Sequence, residues 1–250
     1  MIMIRSGLVS ATFKSQNASY VIKTAHLAGL EAIEWSENHH VPVGDPAFAG
    51  QLACMTRDEG LKCVGYGSYF RLGQGMDIRP SLDNAAAMEI GQMRIWAGSK
   101  ASAEVSEKER ELLTDELAKA CVVASGYGIV LNLEWHKNTL TDTNRSGLEL
   151  IKAIDSPYLR TLWQPAQALS FGERAEGLSM IAPYLSYLHV YYWDSSGRRP
   201  LSEGVEHWRQ YFSLLDPGKD YYALLEFVMG DSQEQLFADA ETLKEIIRHG

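Results

Sequence analysis

The chain has 250 residues, enough to bury most of the apolar surface its unfolded form exposes, as one large domain or two small ones. A formal net charge of −9, from 23 Lys and Arg against 32 Asp and Glu, argues against a surface that works by neutralising phosphate backbones, so no nucleic-acid partner is expected. Cys54, Cys63 and Cys121 are odd in number and widely spaced, which suits reduced packing thiols better than a disulfide framework or a zinc cluster. The N-terminal MIMIRSGLVS has no basic region leading into a long apolar stretch, and no run approaches the roughly 18 apolar residues of a membrane span. A soluble, cytoplasmic protein with no membrane partner is the expectation.

In chain order, β-rich runs recur at SGLVS (6–10), EAIEW (31–35), LKCVGYG (61–67), QMRIWAG (92–98), GIVLNLEW (128–135), YLRTLW (158–163), YLSYLHVYYW (184–193) and YYALLEFV (221–228). Between them lie helical patterns, from SYVIKTAHLAGL through the long EVSEKERELLTDELAKACVVASG to EQLFADAETLKEIIRHG, several closed by Gly. Strict alternation implies parallel strands joined by right-handed crossovers, and strands apolar on both faces imply a sheet covered by helices. Eight repeats in a chain of this length fit a single (β/α)8 TIM-barrel domain spanning residues 1–250. A doubly wound open sheet would also alternate, but no G-x-G-x-x-G follows the first strand and no G-x-x-x-x-G-K-[ST] occurs. RLGQGMDIRP (71–80), GSKASAE (98–104) and WDSSGRRPLSEG (193–204) are loops long enough to carry function.

Four interruptions break the apolar strands: Glu134 in LNLEW, Gln164 in TLWQP, His189 in YLHVYYW and Glu226 in LLEFV. A bare carboxylate in an apolar interior must shift its pKa, find a partner or bind a metal. These four come from strands five to eight, separated by 30, 25 and 37 residues, about one strand–helix repeat each time. In such a barrel chemistry gathers at the C-terminal strand ends, and neighbouring strands lie roughly 4.8 Å apart, so the four side chains can surround one ion. The bland alternative, an outward Glu or His pairing with a helix cation, serves one case better than four at matching depth. An oxygen-rich set with one imidazole and two carboxylates suits one divalent metal ion, with Mn²⁺, Mg²⁺ or Co²⁺ favoured and Zn²⁺ allowed.

At these residues the chain resembles the xylose isomerase-like superfamily of TIM barrels, the sugar and sugar-phosphate isomerases and epimerases, over nearly its whole length. In that family a Glu ends strand five, an Asp ends strand six, a His sits in strand seven and a Glu ends strand eight. Glu134, His189 and Glu226 match, whereas Gln164 stands at the Asp position and Gln167 where a His often follows. The resemblance implies a metal-dependent sugar isomerase or epimerase, in which Glu134 and Glu226 exchange a substrate proton through a metal-stabilised enediolate. The same superfamily contains metal-dependent dehydratases of keto-polyols, and a non-catalytic sugar- or metal-binding barrel is the further alternative.

Around this centre, His40, Tyr69, Arg94, Trp96, His136, Trp163, Trp193 and Arg198 are the candidate contacts to a small carbohydrate substrate. Aromatic faces cover sugar C–H patches and a guanidinium fork matches phosphate or carboxylate, but each aromatic taken alone reads equally as core, and His136 and His40 as loop histidines. His26, His207 and His249 read as structural. A homo-oligomer is permitted.

Overall fold

A computed structural model describes residues 2–249. Eight parallel strands close into a barrel: β1 (Met3–Val9), β2 (Ala32–Ser36), β3 (Lys62–Arg71), β4 (Gln92–Trp96), β5 (Val130–Leu133), β6 (Leu159–Trp163), β7 (Leu185–Val190) and β10 (Asp220–Leu225). Pairing runs in sequence order from β1 to β7, then to β10 and back to β1, as a right-handed (β/α)8 winding requires. Helices α1 (Ala18–Leu27), α2 (Pro46–Asp58), α3 (Arg79–Ala87), α4 (Glu107–Tyr127), α5 (Asn144–Ile154), α6 (Phe171–Ile181), α7 (Val205–Ser213) and α8 (Gln233–His249) form the outer layer. Among the described residues no helix is long and apolar enough to cross a membrane.

The helix limits follow local chemistry. Ser106 and Glu109 form a reciprocal capping box at the start of α4, and Gly128, at φ 69°, ends it in the left-handed conformation a Cβ disfavours. Ser170 and Glu173 make a second box on α6, while Asp45 caps α2 ahead of Pro46.

Period-two alternation divides each strand between two environments. Ile33, Trp35, Met93, Ile95, Leu131, Leu133, Leu188 and Val190 face the helices and join the main core. Val9, Leu162, Tyr187 and Leu224 form a second, smaller cluster that fills the barrel interior. Val9 is the register partner of Glu34 and Leu224 that of His189, so this cluster borders the ionisable residues directly.

Two segments depart from the sequence expectation. The seventh strand ends at Val190 rather than running to 193, because Tyr192–Asp194 turns into β8 and pairs antiparallel with β9 (Gly197–Arg199). Residues 193–204, expected as loop, therefore carry all of this hairpin but Tyr192 and a short 3₁₀ turn at Leu201–Gly204. β3 extends to Arg71, four residues past the expected end, with a register shift against β4 between Gly67 and Arg71. That irregularity carries Tyr69 and Arg71 to the rim.

Candidate functional site

Glu134, Gln164 and Glu226 each stand one residue beyond the last residue of β5, β6 and β10, and His189 lies one before the end of β7. The backbone continues the ladder there: Glu134 N–H donates to Ile95 O at 3.2 Å and Glu226 N–H to Val190 O at 3.0 Å. All four side chains are buried, between 0 and 6 % exposed. Their placement is fixed by sheet register rather than by flexible loop.

They meet in two groups. His189 is held between carboxylates, with Nε2 3.2 Å from Glu34 Oε2 and Nδ1 3.1 Å from Glu226 Oε2. Burial opposes charge on this imidazole, but the fields of Glu34 and Glu226 outweigh it and push its pKa up to about 10. Glu34 is driven the opposite way: burial raises it, yet His189 and then Arg94 prevail and hold its carboxyl below the ordinary value. In the second group Arg94 reaches Glu134 Oε2 at 3.1 Å and donates to Ser68 O at 3.2 Å. Gln164 Nε2 donates to Glu134 Oε1 at 3.1 Å and to Trp135 O at 3.0 Å. Burial disfavours the Arg94 cation, but Glu134 and Glu34 more than compensate and raise its pKa.

Among the described residues no three His, Cys, Asp or Glu side chains are already gathered where they could hold an ion. The donor chemistry nevertheless fits a divalent metal. Glu134 Oε2, Gln164 Oε1, His189 Nδ1 and Glu226 Oε2 are all buried without a hydrogen-bond partner, one atom from each side chain expected as a ligand. The two 3.1 Å contacts, Arg94–Glu134 and His189–Glu226, are ion pairs by distance that lack hydrogen-bond alignment, so they do not satisfy these atoms. Because the Gln164 amide spends its N–H₂ on two acceptors, its oxygen is the end left free. An ion among them would give all four of these atoms a partner at once.

Other expected residues divide between rim and core. Trp96 stacks on His136 (centroids 4.8 Å, 20° between planes), with the Arg71 guanidinium 3.6 Å from the indole centroid. Tyr69 lies 6.1 Å from Trp96, with its hydroxyl 2.9 Å from His39 Nε2. These groups and Arg94, 5.5 Å from the Tyr69 ring centre, form an aromatic and cationic wall on the β3–β5 side. On the far side, Trp193 meets Phe227 edge-on at 5.6 Å, and Arg198 lies 5.3 Å from the Phe227 ring centre while pairing with Asp231. Phe227, directly after Glu226, holds φ 53°, a strained value for a non-glycine residue.

Trp163 is not in the mouth. It faces outward, 2 % exposed, against Trp208 and Tyr211 of α7. His40 is buried, with Nδ1 3.0 Å from Ser10 Oγ and Nε2 3.2 Å from Gln16 O, so both ring nitrogens are spent on the segment that follows β1.

Sequence reasoning missed Glu34. Glu34 carried the same signal as Glu134, a carboxylate between outward apolar neighbours Ile33 and Trp35 in a strand buried throughout.

Comparison with known proteins agrees with this geometry. Residues 22–246 match the family model of the xylose isomerase-like TIM barrel. A 3-dehydroshikimate dehydratase of Bacillus anthracis is 23 % identical over 96 % of both chains, and the crystal structure of the probable 3-DHS dehydratase from that organism superposes with TM-score 0.77 at 19 % identity, covering 97 % of this chain and 99 % of the other. The structure of an L-ribulose 3-epimerase gives TM-score 0.73 at 13 % identity over 99 % and 95 % of the two chains. A xylose isomerase-like TIM barrel protein from Mycobacterium smegmatis, crystallised with magnesium, gives 0.68 at 13 % identity over 98 % and 98 %. The eight-stranded closure, the helical layer and the match over residues 22–246 place the chain in the xylose isomerase-like TIM barrel family.

Proposed function

We propose that this protein is a divalent-metal-dependent isomerase or epimerase of a small carbohydrate, working by proton transfer next to a carbonyl. The observation that supports the reading is the set of four buried donor atoms without a hydrogen bond on Glu134, Gln164, His189 and Glu226 at the barrel mouth. Those four side chains would hold the ion, with Mn²⁺, Mg²⁺ or Co²⁺ favoured by the oxygen-rich set. When bound, the ion supplies Lewis acidity that stabilises negative charge beside the carbon losing its proton.

The chain's own residues do the rest. Glu134 and Glu226 come from strands on different sides of the mouth, and one removes the proton as general base while the other returns one as general acid. Arg94 and Gln164 hold Glu134 from both oxygens, which fixes the direction in which its carboxylate faces the mouth. Trp96 and Tyr69 offer faces for C–H patches, and His136 and Arg71 offer donors to hydroxyl or anionic groups. The buried cluster of Val9, Leu162, Tyr187 and Leu224 keeps the barrel interior beside these residues dry.

The test is metal analysis of the purified protein, followed by a screen of ketoses and aldoses in deuterated water. Solvent deuterium should enter the substrate carbon in a metal-dependent way. Glu134→Gln and Glu226→Gln should each stop that exchange while the barrel stays folded; full exchange in either variant refutes the assignment.

A second reading has its own support. The dehydratase of Bacillus anthracis aligns with the chain nearly end to end. In that chemistry the same base removes the proton, a hydroxyl leaves from the adjacent carbon, and the acid protonates it to water. A product lighter than its substrate by one water, with 3-dehydroshikimate included in the screen, would select this reaction.

A further inference from the structure

Glu34 lies outside the expected ligand set, yet the fold makes deliberate room for it. The residue is 1 % exposed on β2, and its Oε2 reaches across the barrel to His189 Nε2 at 3.2 Å. On the neighbouring strand β3 the chain carries glycine twice beside it. A Cβ at Gly65 would lie 3.2 Å from Glu34 Cγ and Oε2, and one at Gly67 would lie 3.0 Å from Oε1. A buried carboxylate housed this way is costly unless it answers a charge.

The charge count says which. The buried Glu37 carboxylate is taken up by the Tyr66 and Ser81 hydroxyls and the Tyr69 N–H. Around His189, Glu34, Glu134 and Glu226 contribute three negative charges and Arg94 one positive, leaving two negative when His189 is neutral, as a ligand histidine must be. One divalent cation cancels them. Without Glu34 only one negative charge would remain, because the amide of Gln164 brings none.

We propose that Glu34 supplies, through His189, the negative charge that Gln164 withholds from the ion, and that it is the positioning residue fixing the imidazole with its proton on Nε2 and its lone pair on Nδ1. A histidine ligand that donates its second N–H to a carboxylate is held in one orientation and becomes a stronger donor. The Gln164 oxygen and the His189–Glu34 couple together take the place of one anionic ligand. The inference rests on the reading that Glu134, Gln164, His189 and Glu226 hold a divalent ion.

The experiment is a thermodynamic cycle on the full chain. Wild type, Glu34→Gln, Gln164→Asp and the double variant are titrated with Mn²⁺ alone in competition with a fluorescent chelator, each first checked for native circular dichroism and a cooperative melt. Glu34→Gln is expected to weaken Mn²⁺ binding about 10–100-fold. Gln164→Asp should restore most of that loss in the Glu34→Gln background and add far less in the wild-type background. In Mg²⁺-loaded wild type, ¹⁵N shifts of His189 should report protonation at Nε2, and Glu34→Gln should change that signature. Wild-type affinity in Glu34→Gln, or an equal gain from Gln164→Asp in both backgrounds, overturns the proposal. If Glu34→Gln does not fold, the ¹⁵N signature of wild type decides, and protonation at Nδ1 overturns the proposal. Wild type that binds no Mn²⁺ sinks both the ion assignment and this inference, whereas Mn²⁺ binding without substrate exchange sinks only the catalytic reading.

Discussion

Replacing Arg94 by methionine removes the one cation buried beside Glu134 while keeping most of the side-chain volume. Both partners are 6 % exposed at the side chain and lie 3.1 Å apart. At an effective dielectric of about 20 their attraction is about 5 kcal/mol, and removing one member of a buried pair typically costs about 3–5 kcal/mol because the other charge is left uncompensated. Gln164 still donates to Glu134 Oε1, which offsets part of the loss and favours the lower end, about 3 kcal/mol. For a chain of this size that is a fall in Tm of about 6–12 °C. Glu134→Gln in the same background removes the stranded charge, so the double variant should recover more than half of the deficit, a coupling far above the few tenths expected of independent sites. Differential scanning calorimetry of the four proteins, metal-free at neutral pH, measures it. An Arg94→Met variant within 1 kcal/mol of wild type, or one that Glu134→Gln fails to rescue, would refute the claim that this pair holds the interior charge in balance.

Three further outcomes are expected. In the metal-free protein the His189 imidazolium is stabilised by its folded surroundings, with a pKa raised from 6.5 to about 10. Its contribution is therefore complete below about pH 6.5 and is lost as pH rises toward 10, so Tm should decline across that window and the His189→Gln variant should flatten the decline. Gly67→Ala puts a Cβ 3.0 Å from Glu34 Oε1 and 3.4 Å from the Arg94 guanidinium and should cost about 1–3 kcal/mol, whereas Gly126→Ala, in α4 with nothing within 4 Å, should stabilise by about 0.5–1 kcal/mol; denaturant titration compares them. Trp163→Leu should lower stability through lost packing on Trp208 and Tyr211 and leave KM unchanged, while Trp96→Leu should raise KM with little change in Tm.

The legibility of the site followed from register. A strand buried on both faces cannot hide a carboxylate, so Glu134, His189 and Glu226 stood out of their apolar runs, and equal repeat lengths put them at one end of the barrel. Trp163 and Leu162 show the limit of that signal. Adjacent residues of one strand face opposite sides, and an aromatic at a strand end fits either, so the sequence offered no reason to send Trp163 to α7 and Leu162 to the interior. His40 was equally opaque, because its partners Ser10 and Gln16 lie 24 to 30 residues away in a turn without a pattern of its own.

Composition, period and spacing determined by themselves the alternation of eight strands and eight helices, the closure into a barrel, and the end at which the ionisable residues emerge. Those are local or repeat-level properties, set by which side chains avoid water and by how long each crossover must be. Only tertiary structure decided which charge answers which. Glu34 and His189 are 155 residues apart and meet because β2 and β7 face each other across the lumen, and Arg94 reaches Glu134 because β4 and β5 pair in register. Inside a low-dielectric barrel such pairings depend on distances of a few ångströms between strands remote in the chain, a quantity that no pattern along the sequence encodes.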